Sequence, residues 1–208
     1  MKTILAYGDS LTYGSDPVIP DCRHAYEDRW PTRLEAGLGG TARVIAEGLG
    51  GRSTAFDDHT TSADRNGARI LPTLIHSHAP LDAVIIMLGT NDMKSFICGS
   101  AVGAARGMKR LGEIVRTEAP AARLLLVSPP HCTEATGPVI DPRFGQTIAE
   151  SRLLAAHYAR VADELGCRFF DAATVAQADP ADGVHLDPAN TRAIGDALAP
   201  IVKDMLGL

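Results

Sequence analysis

The sequence predicts an α/β protein, a parallel sheet with helices on both faces, and three observations predict it. Short runs rich in Val, Ile and Leu recur along the chain, at 3–7, 43–47, 83–88, 123–128 and 168–171. Longer segments of helical period separate them. The runs are continuously apolar rather than alternating, which is the pattern of strands covered on both faces.

The helical segments are 66–79, 102–119, 145–166 and 188–207. In the third, Ile148, Leu153, Ala156, Val161 and Leu165 fall mostly three to five residues apart and predict the buried face, with Glu150, Arg152, Arg160 and Glu164 opposite. The stretches 15–29 and 129–144 fit neither strand nor helix. Loops of that length inside a compact domain tend to be lids, binding loops or subunit contacts. The single tryptophan, Trp30, follows the first of them and is expected in the core or at an interface.

A chain of 208 residues can bury one sizeable core, and residues 1–208 are read as a single domain. With 45% hydrophobic and 22% charged residues, the composition is that of an ordinary globular protein. A formal net charge of -5 without a Lys/Arg cluster argues against a nucleic-acid or anionic-lipid surface. Cys22, Cys98, Cys132 and Cys167 form no C-x-x-C pair, so neither a zinc knuckle nor a redox motif is expected. The apolar start of the chain is too short for a secretion signal, and no run approaches the roughly 20 residues that span a bilayer. A cytoplasmic protein with no membrane partner is the expectation.

In open α/β sheets, ligands bind beyond the carboxyl ends of the strands, so polar residues just after a strand are where chemistry is sought. Gly8-Asp9-Ser10-Leu11 follows the first run, "EGLGGRST" (47–54) the second and "LGTND" (88–92) the third, while "DPADGVHLDPAN" (179–190) precedes the last helix. Ser10 becomes a nucleophile if a held base takes its proton. Asp182 and His185, three residues apart, supply a carboxylate and an imidazole that it can orient through Nδ1. Donors for an oxyanion are available in the Ser10 N–H, the Gly51 N–H and the Asn91 side-chain amide. Taken singly each block has a plainer account: Ser10 as a helix N-cap, Asn91 and Asp92 as turn residues. "GLGGRS" (48–53) is a near miss to a dinucleotide fingerprint, so a non-catalytic phosphate- or nucleotide-binding module is the competing class. Asp57, Asp58 and His59, and His76 and His78, lack a convincing further ligand set, and no metal is expected.

Together the four blocks resemble the SGNH, or GDSL, hydrolase family, and the wording "GDSLTYG", "EGLGGRST", "VIIMLGTND" and "DGVHL" is most similar to its bacterial arylesterase and acyltransferase branch. The resemblance implies a flavodoxin-like three-layer α/β/α fold with strand order 2-1-3-4-5. It implies Ser10 as nucleophile, His185 as base, Asp182 as its orienter, and Ser10, Gly51 and Asn91 as oxyanion donors. It further implies no cofactor, an intracellular and often oligomeric protein, and acyl transfer to alcohols or peroxide beside hydrolysis. Many relatives carry an Asn shortly before the glycine of the second block; Glu47 and Gly48 stand in that region here. By position, Leu11, Thr90, Lys94 and Val184 are expected to shape the acyl pocket of a small-ester substrate, with short acyl chains favoured. An aryl ester and an acetylated sugar remain alternative substrates.

Overall fold

The computed structural model describes residues 1–139 and 141–208. Among them, five strands form one parallel sheet: β1 (Lys2–Gly8), β2 (Ala42–Gly48), β3 (Ala83–Met87), β4 (Arg123–Ser128) and β5 (Arg168–Asp171), in the order β2-β1-β3-β4-β5. Helices α1 (Ser10–Tyr13), α2 (Trp30–Gly37), α3 (Gly67–His78), α4 (Ala101–Glu118), α5 (Phe144–Ser151), α6 (Leu154–Leu165) and α7 (Pro188–Leu206) connect and cover the strands. The expected fold class and strand order are those found.

Period-two alternation sends successive strand residues to opposite faces. Leu5 and Tyr7, Val84 and Ile86, and Leu124 and Leu126 therefore meet α3, α4 and α6 on one side. Ile4 and Ala6, Ala83, Ile85 and Met87, and Leu125 and Val127 meet α2 and α7 on the other. β3 is buried throughout and β1 and β4 are buried after their first residues, whereas β2 and β5, at the edges, are mostly half-buried or exposed. The register aligns Gly8 with both Gly48 and Met87, and Met87 with Val127. Consequently the segments that leave β1, β2, β3 and β4 all emerge at the carboxyl end of the sheet, and that end carries the polar blocks.

Helix α2, not among the expected helical segments, has a start signal in the sequence, a proline at its second residue, where a helix needs no N–H. Its first residue, Trp30, is fully buried; its N–H donates to Thr191 Oγ at 3.1 Å and its Nε1–H to Thr12 Oγ at 3.2 Å. One side chain thus ties α1, α2 and α7 together. Truncation to alanine is expected to cost about 3–5 kcal/mol, because both packing and the cavity it leaves count against the fold. A urea midpoint unchanged by Trp30→Ala would contradict this.

The segment 145–166 is not one helix. A turn at Arg152 and Leu153 separates α5 from α6 and resets the helical phase, so Leu154, Tyr158, Val161 and Ala162 face the core. Leu153 and Ala156, expected inside, are exposed, and Glu150, expected in water, accepts the Ala101 N–H at the start of α4 (2.7 Å). Periodicity could not see the reset, because apolar residues occupy both 153 and 154.

Candidate active site

Ser10 opens α1 directly after β1, with only 7% of its surface exposed. Asp9 caps this short helix by accepting the Leu11 N–H at 3.0 Å, and Gly14 closes it with a left-handed backbone. Close packing sets the position of the turn. A Cβ on Gly8 would lie 2.0 Å from Thr12 Oγ, and one on Gly48 would lie 2.3 Å from the Tyr13 nitrogen. The latter contact gives Gly48 a structural reason to stand where the resemblance departs from its pattern.

Asp182 and His185 share the loop before α7. The Asp182 Oδ2 to His185 Nδ1 distance is 2.5 Å, and Asp182 Oδ1 accepts the N–H groups of Val184 and His185, each at 2.9 Å. Burial alone would raise the Asp182 pKa, but these three hydrogen bonds outweigh it and hold the carboxyl below its ordinary range. Gly183 makes the turn possible: its φ is 75°, and a Cβ there would lie 2.4 Å from Thr133 O. The turn is buttressed by part of the long loop after β4, through Thr133 N to Gly183 O (2.9 Å), Thr136 N to Pro180 O (2.8 Å) and Gly137 N to Ala181 O (3.1 Å). That loop, predicted over 129–144, includes residue 140, which lies outside the described residues. His24 joins the turn to α1, its N–H bonded to Gly14 O and its Nε2 paired with Leu186 O, both at 2.8 Å.

The expected oxyanion donors come from three different strand ends. Among the described residues, the N–H groups of Ser10 and Gly51 meet no acceptor. Gly51 has a φ of 81°, a backbone that glycine tolerates and other residues resist. The Asn91 amide donates to Arg52 O at 3.1 Å and to Asp9 Oδ2 at 3.3 Å. The second contact lies beyond the usual N–H···O range.

Beside these donors lies a polar layer of Arg52, Thr54 and Asp92. Arg52 stacks on the Tyr7 ring, its guanidinium carbon 4.2 Å from the centroid, and donates to Gly8 O at 2.8 Å. Asp92 accepts the Thr54 N–H at 3.0 Å and the Thr54 hydroxyl, pinning the second block to the third. Burial pushes the Asp9 carboxyl up to about 6 and the Asp92 carboxyl up to about 7. Both therefore hold protons more tightly folded than unfolded. Their stabilising contribution is complete below the ordinary carboxylate pKa and is lost as pH rises through about 6 and about 7. Asp182 has the opposite sign, contributing above the ordinary carboxylate pKa and losing its contribution as pH falls through its folded value. Asp92→Asn is expected to flatten the decline in urea midpoint between about pH 4 and pH 7; an unchanged slope would contradict the assignment.

Of the expected pocket residues, Thr90 is buried beside Asn91, while Lys94 and Val184 are half-buried. Leu11 does not belong with them, since its side chain packs into the core with Trp30 and Leu186. The step from Ser10 to Leu11 along α1 turns it toward the sheet. The dinucleotide reading has no support in the local structure, because a long loop, not a helix, follows "GLGGRS". His76 pairs with Glu118 at 2.9 Å and His78 with Glu47 at 2.8 Å. Asp57, Asp58 and Asp64 are paired with Arg65 or Arg69.

An α/β/α sheet with serine after its first strand, amide donors after its second and third, and an Asp–His pair before its last helix defines the class of SGNH carboxylic ester hydrolases. Residues 6–193 match the GDSL-like Lipase/Acylhydrolase family, and the chain belongs to that family. It is similar to a carbohydrate acetylesterase family member from Sinorhizobium meliloti, 50% identical over the whole of both chains with a TM-score of 0.93. It is also similar to the inhibitor-bound aryl esterase of M. smegmatis, 39% identical over 99% of this chain and 100% of that one, with a TM-score of 0.90. A GDSL lipase of Mycobacterium tuberculosis is 24% identical over 98% of this chain and 82% of its own length. No helix among the described residues is long and apolar enough to cross a membrane.

Proposed function

We propose that the protein hydrolyses small carboxylic esters, short-acyl or aryl, through an acyl-enzyme on Ser10. The observation that carries this reading is the 2.5 Å Asp182 to His185 contact. A carboxylate on Nδ1 fixes the tautomer in which Nε2 has a free lone pair, and Nε2 then serves as the base. Ser10 Oγ attacks the ester carbon as its proton passes to His185 Nε2, and the carbonyl oxygen gains negative charge facing the Ser10, Gly51 and Asn91 donors. Collapse breaks the bond to the leaving oxygen, which takes the proton from His185. Water repeats the sequence on the acyl-enzyme and frees the acid.

One mole of p-nitrophenol released in a burst, and inactivation by a fluorophosphonate with a single adduct on Ser10, are the expected results. An adduct elsewhere, or no turnover of p-nitrophenyl acetate, would sink the reading. Asn91→Ala is expected to lower kcat by about 10²–10³-fold, since one donor of the oxyanion is lost. A smaller loss than tenfold would remove Asn91 from the hole.

The likeness to the S. meliloti protein favours acetylated sugars as a second substrate class, to be compared with aryl acetates by kcat/KM. Alcohols or peroxide in place of water would give acyl transfer; exclusive release of free acid in aqueous alcohol would exclude it. Exposed Val18, Ile19 and Tyr26 on the 15–29 loop support a homo-oligomer, which light scattering would test.

A further inference from the structure

Two cations flank the oxyanion donors and are not used by the chemistry above. Arg65 lies directly on Gly51: a Cβ built on that glycine would be 2.7 Å from both Nε and Cζ of the arginine. Arg65 Nη1 donates to Asp58 at 3.0 Å, yet its Nε is buried and meets no partner. Lys94 ends the short turn that begins at Asn91, its N–H donating to Asn91 O at 3.2 Å. Its charged neighbours are Arg65, Asp58, Asp9 and Asp141, and among the described residues no carboxylate pairs with its ammonium.

Each neighbouring carboxylate is already engaged. Asp58 accepts from Arg65 and Thr60, Asp9 from Leu11 and Asn91, and Asp141 from the Ser95 N–H and hydroxyl and the Arg143 N–H. Thr90 Oγ, adjacent to Asn91 in the chain, is likewise buried without a partner. Buried polar groups are satisfied in the great majority of native sites, and a half-buried lysine without an acceptor is costly to keep. The Arg65 guanidinium on Gly51 and the unpaired ammonium of Lys94, at the end of the Asn91 turn, together offer positive charge to an anionic ligand beside these donors.

We propose that Lys94 and Arg65 form an anion-binding subsite beside the oxyanion donors, selecting esters whose acyl chain ends in a carboxylate. The acyl side is assigned because His185 must hand its proton to the leaving oxygen. The alcohol portion therefore lies toward Val184 and His185, leaving the acyl chain toward Gly51 and Lys94. A half-ester of a short dicarboxylic acid has the right chemistry.

The inference rests on the ester-hydrolase reading of Ser10, and the test separates the two. Ethanol release from monoethyl succinate and from ethyl levulinate, its neutral near-isostere, is measured at neutral pH for the wild type, Lys94→Met and Arg65→Gln. The wild type is expected to favour the succinate by about tenfold or more in kcat/KM, the worth of one hydrogen bond to a charged group. In both variants this ratio is expected to fall toward one, whatever happens to turnover as a whole. A wild-type ratio at or below one, or a ratio that both variants retain, overturns the subsite while leaving the esterase intact. Failure of the wild type to hydrolyse these esters and p-nitrophenyl acetate alike overturns the esterase reading itself.

Discussion

Ser10→Ala is expected to lower kcat for p-nitrophenyl acetate by roughly 10⁵–10⁶-fold while leaving the melting curve within a few degrees of the wild type. The loss is that large because the nucleophile and its base act as a unit, so removing one idles the other. Turnover that remains should come from the oxyanion donors and from binding alone. The fold is spared because the helix cap at this position is supplied by Asp9, not by the serine, and alanine is the best helix former. Steady-state kinetics beside calorimetry decides the matter. Residual activity within tenfold of the wild type would assign the chemistry to other residues.

Asp182→Asn is expected to lower kcat by about 10⁴-fold and to remove the stability that the ionised carboxyl contributes at neutral pH. Asparagine offers one oxygen where aspartate offers two. That oxygen is claimed by the Val184 and His185 N–H groups, which shape the turn. The amide NH₂ then faces Nδ1, so Nδ1 must accept and the ring proton moves to Nε2, the wrong nitrogen for a base. Imidazole ¹⁵N shifts should report the exchanged tautomer. A variant that keeps the wild-type tautomer and rate would separate Asp182 from the mechanism.

The inner strands and the three strand-end blocks were legible because their signals are local: an apolar run, then a turn residue, then a polar group. The Asp182–His185 pair was legible for the same reason, lying within four residues. What the sequence hid depends on partners far along the chain. Arg52 matters through Tyr7 and Gly8, Asp92 through Thr54, and Trp30 through Thr12 and Thr191. None of these separations leaves a periodicity. Leu11 was misplaced because proximity to Ser10 in sequence says nothing about the direction of its side chain on a helix of four residues. The break between α5 and α6 was hidden by two adjacent leucines, either of which satisfies the pattern.

The main-chain ladder between residues 133–137 and 180–183 constrains how such a scaffold can be redesigned. Because the segment bearing His185 is hydrogen-bonded to the loop after β4, a change in the length of that loop would shift the imidazole along with it. Grafted sequences intended to alter selectivity belong instead in the segment 55–64, which borders the Gly51 side and carries neither member of the Asp–His pair. Diversification there can proceed without displacing the Asp182–His185 pair, whereas libraries built in the loop after β4 should yield mostly proteins in which that pair is shifted.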